Sequence, residues 1–209
     1  MSERWIDDQL VARGVRDPRV LDAMRRVPRD AFVPAGLRPY AYDDRALAIG
    51  SGQTISQPYM VAAMTEALGL TGGERVLDVG TGSGYQAAVL AELAREVITI
   101  ERRPELAEAA RATLDALGYK TIDVVVGDGT LGSPAHAPFD GILVGAGAPR
   151  VPDALREQLA RDGGRLVIPV GPPDQQWLVI VTRRGDSYIE SKGVGCIFVP
   201  LLGADGWRA

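Results

Sequence analysis

The stretch Val76-Leu77-Asp78-Val79-Gly80-Thr81-Gly82-Ser83-Gly84-Tyr85 runs a buried-type strand directly into three glycines spaced by two, and then into a helix. Such a chain is committed to a βα unit, because glycines at that spacing let the backbone turn tightly and approach a ligand closely. The rhythm continues. Short β-rich runs at Arg75–Val79, Glu96–Ile100, Ile122–Val126, Gly141–Val144 and Arg165–Val170 alternate with helical stretches near Ser83–Ala94, Pro104–Leu117 and Pro152–Ala160. Crossovers of this length predict an α/β fold, a doubly wound, mostly parallel sheet with helices on both faces. After Pro173 the pattern changes: Trp177–Arg183 and Tyr188–Ser191, joined through Arg184-Gly185-Asp186, predict a C-terminal antiparallel hairpin on the sheet edge. Gly203–Ala209 reads as a loosely held tail.

Upstream of the glycines the texture differs. Seven arginines and five acids precede Asp30, with Trp5, Ile6, Leu10 and Val11 at helical spacing, so the chain begins with a helical extension. A second helix starts at Asp17-Pro18, an acidic cap before a proline at the first helical position, and runs to about Arg26 before Pro28 stops it. Between Ala31 and Gln57 no period survives the prolines and glycines, and this part reads as an ordered connection. Residues 1–56 thus form a lead-in packed on the core and residues 57–209 the ligand-binding α/β part of a single structural unit.

Composition removes several function classes. With 23 basic against 27 acidic residues the net charge is −4, and with 6% aromatics a nucleic-acid partner is disfavoured. No apolar run is long enough to span a bilayer, and Met1–Leu10 is polar, so the expectation is a soluble, cytoplasmic protein, read as a monomer. One cysteine, Cys196, and one histidine, His136, are too few for an internal disulfide or a typical structural zinc site, and no metal is expected. His136 lies between prolines in a loop and reads as a solvated residue; Cys196 reads as a small buried apolar one.

Spacing alone does not name the ligand of the glycine loop. Gly82-Ser83-Gly84-Tyr85-Gln86-Ala87 satisfies a relaxed dinucleotide fingerprint. Charge is more discriminating. A pyrophosphate at the helix N-terminus would lie unfavourably near Asp78, whereas S-adenosylmethionine carries a sulfonium and an ammonium that a carboxylate there attracts, directly or through water. No Lys-Ser/Thr pair of a triphosphate-binding loop is present. Glu101, about 20 residues after the glycines, ends the next strand and can take both hydroxyls of a ribose. Asp128 in Gly127-Asp128-Gly129 ends a third and could accept from an adenine amino group. The bland alternatives are a loop-stabilising acceptor, a helix entry and an ordinary turn residue, but three acids at successive strand ends together outline one nucleoside.

The segment Gly52-Gln53-Thr54-Ile55-Ser56-Gln57-Pro58, followed by Asp78–Ala87 and Gly127-Asp128-Gly129-Thr130, resembles the protein-L-isoaspartate O-methyltransferase family. The likeness extends through Phe32-Val33-Pro34, Arg165–Gly171 and Phe198-Val199-Pro200-Leu201, over roughly residues 9–203. It implies a Rossmann-like methyltransferase fold and methyl transfer from S-adenosylmethionine to the free α-carboxylate of L-isoaspartyl residues in damaged proteins and peptides, the ester then closing to a succinimide. Ser56 matches the family's active-site serine. The resemblance places Gln53, Thr54, Ile55 and Ser56, the loop Gly80, Thr81, Gly82 and Ser83 with Asp78 beside it, Glu101 with Arg102, and Asp128 with Gly129 around the cofactor, and brings Val199, Leu201 and Leu202 toward the site. Some members carry Ala and His where this chain has Gln57 and Tyr59.

The residues themselves are compatible with that chemistry. A carboxylate acceptor is ionised at pH 7, so no strong general base is needed. Ser56, read as the cap of a helix beginning near Gln57, would orient the acceptor with its hydroxyl and the free N–H groups of the first turn; the alternative is a serine that only caps. Two further readings stay open: a methyltransferase of a small molecule or nucleic acid, and an inactive module that keeps the cofactor pocket to recruit a partner.

Overall fold

The structure, a computed structural model, describes residues 4–208. Helical turns at Ile6–Leu10 and Val11–Arg13 open the lead-in. Helix α1 (Pro18–Arg26) then starts where the sequence indicates: the Asp17 side chain accepts the Arg19 N–H at 2.9 Å, and Pro18 needs no partner at the first helical position. Its apolar face, Val20, Leu21, Ala23 and Met24, is buried, each larger side chain contributing about 1.5–3 kcal/mol relative to exposure.

The connection after α1 contains structure that periodicity missed. Strands β1 (Leu47–Gly50) and β2 (Gln53–Ile55) form an antiparallel hairpin through Gly50, Ser51 and Gly52, all at positive φ. Three- and four-residue strands are too short to show alternation. Helix α2 (Pro58–Leu68) follows at once and ends on left-handed Gly69.

Five parallel strands build the central sheet: β3 (Arg75–Val79), β4 (Glu96–Glu101), β5 (Ile122–Val126), β6 (Gly141–Val144) and β7 (Asp162–Val170). The antiparallel hairpin β8 (Gln176–Arg184) and β9 (Ser187–Cys196) completes one edge, longer than its sequence pattern suggests, and the order is β5-β4-β3-β6-β7-β8-β9. Successive residues serve opposite faces. Val76, Val97, Leu143 and Val167 pack toward the lead-in, α2 and helix α3 (Tyr85–Ala91), while Leu77, Ile98, Ile142 and Leu166 pack toward helix α5 (Asp153–Glu157). Helix α4 (Pro104–Ala116) adds Ala107 and Leu114 to the first of these cores, which also takes in Ile6, Leu10 and Met24.

Both α3 and α5 are shorter than expected. Gly84, at φ 88°, is the N-cap of α3, so Ser83 belongs to the turn. After Glu157 the backbone leaves α5 to bond Phe139, whose N–H meets Gln158 O at 2.8 Å. The tail expectation is overturned for Gly203–Arg208; Ala209 lies outside the described residues. Trp207 donates its N–H to Leu201 O (2.8 Å) and its indole N–H to Gly147 O (3.0 Å), and Asp205 pairs with Arg150. No helix among the described residues is long and apolar enough to cross a membrane.

Candidate active site

Between β3 and β6 the order of connections reverses, and a crevice opens at the carboxyl ends of the strands, where open α/β sheets bind ligands. Two glycines make it. Gly145 follows β6 and donates its N–H to Val79 O at 2.8 Å, and a Cβ on it would reach 3.5 Å from Gly80 O. Gly80 follows β3 at φ 93° and donates to Ile100 O at 2.9 Å. With no side chains there, a cleft runs over β3, β4 and the start of the turn after β5.

Most of the expected residues meet in this cleft. Gln53, Thr54, Gly80, Gly82, Glu101, Arg102 and Gly129 line it, and Val199–Leu202 close it from the C-terminal side. A narrower space beside it is walled by Ile55, Ser56, Thr81 and Ser83, with Tyr85 and Phe198. That space leads toward a second, open cavity of about 1320 Å³ lined by Arg13, Asp44, Arg45, Thr54, Ser56, Tyr59 and the segment Val194–Val199. Thr54 and Gly145 border all three spaces.

Glu101 is the anionic group of the first cleft. Its Oε2 accepts the Gly82 N–H at 2.9 Å and its Oε1 the Arg103 N–H at 3.0 Å, leaving further lone pairs free. Although 6% exposed, it forms no ion pair among the described residues.

Two of the expected acids do something else. Asp78 is fully buried behind the loop and lines none of the three spaces. Its Oδ2 accepts the Thr99 hydroxyl at 2.8 Å; Thr99 in turn meets the Thr81 hydroxyl at 2.7 Å, which ties the glycine loop to β4. Burial, opposed by the Thr99 bond and reinforced by Glu101, pushes the Asp78 carboxyl up to about 7, and its Oδ1 has no partner. The cause is geometric: Asp78 points to the α3 side of the sheet with Val76, away from the strand ends.

Asp128 likewise turns from the cleft. Its Oδ1 accepts the Thr130 N–H (2.9 Å) and hydroxyl (2.7 Å), and its Oδ2 the Ala204 N–H (2.8 Å), so it clamps the C-terminal segment. Burial raises its carboxyl, but these hydrogen bonds and nearby Arg102 outweigh burial and hold it below the usual carboxylate range. Gly129 is the part of this turn that faces the cleft.

Ser56 is half-buried between β2 and α2. It is not the helix cap: Gln57 occupies that position with extended backbone and no side-chain capping bond, because Pro58 is the first helical residue and the residue before a proline is extended. Gln57 instead sends its amide to Asp44 O at 3.0 Å. The Ser56 hydroxyl makes no hydrogen bond among the described residues, whereas its carbonyl accepts from Arg29 Nη2 at 2.7 Å. The N–H groups of Tyr59 and Met60, in the first turn of α2, have no intrahelical acceptor, and both residues line the second cavity.

Sequence reasoning missed Gly145 and Ala146 of the cleft, and Asp44 and Arg45 of the cavity. The first pair was findable, since Gly145-Ala146-Gly147 leaves a fourth parallel strand as Gly80, Glu101 and Gly127 leave the others. Asp44 and Arg45 carry no motif. The lead-in reaches the cavity through Arg13, whose guanidinium lies 3.6 Å from the Tyr59 ring centroid and pairs with Asp44 at 2.8 Å. Cys196 is half-buried on the cavity wall, and burial raises its thiol to about 11. His136 lies elsewhere, its Nδ1 2.7 Å from Ser133 Oγ.

Comparison with known proteins bears on this geometry. The sequence model of the family described as protein-L-isoaspartate(D-aspartate) O-methyltransferase matches residues 2–206. The chain is 61% identical over 201 residues to protein-L-isoaspartate O-methyltransferase 2 of Marinobacter nauticus, covering 95% of this chain and 91% of that one. It is 57% identical over 208 residues to protein-L-isoaspartate O-methyltransferase of a Roseiflexus species, covering 100% and 95%. Among solved structures it superposes on a protein-L-isoaspartate O-methyltransferase with a TM-score of 0.86 at 28% identity, covering 98% of this chain and 67% of the other. A Plasmodium falciparum structure in complex with S-adenosyl-L-homocysteine gives 0.81 at 25% identity, covering 96% and 97%.

Proposed function

Because this chain belongs to the protein-L-isoaspartate(D-aspartate) O-methyltransferase family, we infer that it is a protein-repair enzyme that methylates the free α-carboxylate of L-isoaspartyl residues in damaged proteins and peptides, using S-adenosylmethionine. The observation that carries this reading is the meeting of two spaces: a cleft floored by glycines, with a carboxylate at the end of β4, and an open cavity lined by Ser56, both bordered by Thr54 and Gly145.

The residues present fit the cofactor. Glu101 has acceptor capacity left for a ribose diol, and the glycines at 80, 82, 129 and 145 bring bare backbone to the cleft wall. When bound, S-adenosylmethionine supplies a methyl group on a positively charged sulfur. In this reading Gln53, Thr54, Ile55 and Ser56 form its acceptor-side wall, Gly80, Thr81, Gly82 and Ser83 its loop, Glu101 and Arg102 the ribose end, and Gly129 the base end. Asp78 and Asp128 support the loop and the C-terminal strap from behind.

The acceptor carboxylate needs orientation and dryness, not deprotonation, since its ordinary pKa is near 4. Ser56 offers a hydroxyl with no competing partner, and the first turn of α2 offers the N–H groups of Tyr59 and Met60 at the positive end of the helix dipole. Ile55, Tyr85 and Phe198 exclude water from the narrow space. Fixing the reacting groups in this way can lower a barrier by about 7–11 kcal/mol. A net charge of −4 and 6% aromatics favour a polypeptide over a nucleic-acid substrate; a cytoplasmic monomer completes the reading.

The test uses matched peptides carrying L-isoaspartate, L-aspartate or D-aspartate at one position, with methyl-labelled cofactor. Label incorporated only, or chiefly, into the isoaspartyl peptide is the expected result. Equal labelling of the aspartyl peptide, or none of any peptide, overturns the reading.

A further inference from the structure

Arg29 is a buried cation without a counter-ion. It stands at the start of the helical turn Arg29–Phe32 and is 0% exposed. Its Nε donates to Ala41 O at 2.7 Å and its Nη2 to Ser56 O at 2.7 Å, while Nη1 is buried with no partner. The guanidinium carbon lies 4.9 Å from the centre of the Tyr85 ring, and Tyr85 lines the same narrow space as Ser56. The adjacent acid, Asp30, does not neutralise it: Asp30 accepts the Tyr42 hydroxyl at 3.0 Å, and Arg29 forms no ion pair among the described residues. Burial lowers the Arg29 pKa, as desolvation of a cation must, and the guanidinium remains charged in proteins even so.

A buried charge left unpaired destabilises the fold, and hydrophobic residues of similar volume are often at least as stable at such positions. The two carbonyls it holds explain little as packing. They explain more as placement: Ala41 belongs to the lead-in and Ser56 to the junction of β2 and α2, so one rigid fork fixes the peptide unit on which the Ser56 hydroxyl is mounted. The same fork also sets a positive charge behind Ser56, which lines both the open cavity and the narrow space beside the cleft.

We propose that Arg29 is a positioning residue for methyl transfer, which acts through Ser56: it locks the Ser56 carbonyl so that the hydroxyl faces the incoming carboxylate, and its buried charge favours the ionised acceptor there. This rests on the methyltransferase reading above. Arg29 touches neither cleft and is not itself a catalytic residue.

The experiment compares the full chain with Arg29→Met and Arg29→Lys. For each, S-adenosylhomocysteine affinity is measured by calorimetry, kcat and KM are measured with an isoaspartyl peptide, and thermal unfolding verifies the folded state. In Arg29→Met, kcat/KM for the peptide falls about 100-fold, the scale of a misplaced reacting group, with kcat and peptide KM both affected. Nucleoside affinity in that variant changes far less than kcat/KM, because Arg29 lines none of the three spaces and reaches the cofactor's wall only through the Ser56 carbonyl. Arg29→Lys keeps the charge and one carbonyl contact and recovers about tenfold of the loss. A folded Arg29→Met chain with parental kinetics overturns the proposal, as does a fall in nucleoside affinity matching the fall in kcat/KM, which would mark a general packing role. If Arg29→Met does not fold, Arg29→Lys decides alone: parental kinetics in both parameters would overturn the inference, and a loss confined to the peptide supports it. A parent chain inactive on isoaspartyl peptides sinks both readings, whereas an active parent with indifferent variants sinks only this one.

Discussion

Glu101 Oε2 accepts the backbone N–H of Gly82 at 2.9 Å, so the acid that ends β4 is bonded to the tip of the loop that follows β3. One carboxylate thereby shapes the loop and faces the cleft. Glu101→Gln replaces one acceptor oxygen by an amide that cannot accept, and either the Gly82 or the Arg103 N–H, or the ribose, loses its partner. S-adenosylhomocysteine affinity is expected to weaken by about 1–3 kcal/mol, the cost of leaving a buried hydrogen-bonding group without its partner. Calorimetry checks this, and an unchanged Kd would remove Glu101 from the cofactor site.

Gly129 tests the base end of the same cleft. A Cβ there would come 2.5 Å from Val79 Cγ1 and 3.4 Å from Ile100 Cγ2, and both neighbours are locked in the core. Gly129→Ala therefore forces β3 and β4 to yield. The expected cost is about 1–3 kcal/mol of stability, as for overpacking elsewhere, accompanied by weaker nucleoside binding. Urea unfolding that matches the parent would show that the turn relaxes freely.

How far the sequence discloses this molecule can be followed residue by residue. Strands β3, β5 and β6 are legible to the residue because each is a short β-rich run between turn signals, and β6 is buried throughout. Hairpin β1–β2 is not, because strands of three and four residues have no detectable period. The displaced cap at Gln57 was legible in principle, since the same logic placed Asp17 correctly before Pro18. Glu101 and the glycines line the cleft because they stand at strand ends, which the alternation locates. Asp78 and Asp128 were located correctly, but side-chain direction depends on pleat and on long-range partners such as Thr99 and Ala204. Arg29 is one of the seven arginines that precede Asp30, and nothing local distinguishes it from Arg25 or Arg26, which pair at the surface with Asp22 and Glu92.

Ser56 separates acceptor chemistry from cofactor binding. Its hydroxyl is uncommitted and it does not cap α2, so Ser56→Ala leaves the helix start intact. Methyl transfer to an isoaspartyl peptide is expected to fall about 100-fold, the effect of deleting one orienting donor at a reacting oxygen. Nucleoside affinity is expected to be unaltered. Full turnover in the variant would leave the α2 N–H groups as the sole orienting donors.

Asp78 makes stability depend on pH, with a sign opposite to that of a salt-bridged acid. Its carboxyl ionises near 3.8 when exposed and near 7 in the folded chain. Below pH 3.8 both states hold the proton and the site contributes no difference. As pH rises toward 7 the unfolded chain ionises first, so the native state loses stability through this window and the loss is complete above it. Three pK units correspond to about 4 kcal/mol. Asp78→Asn cannot ionise, so its unfolding free energy should lack this decline between pH 4 and 7. Relative to the parent, the variant should gain stability between pH 5 and pH 8, even if loss of the Thr99 contact lowers both values. Urea titrations of the two chains at these pH values measure the difference of differences directly. A value of zero would mean that Asp78 is ionised throughout, with a cation or ordered water satisfying Oδ1, and that the loop is held by a charged acid.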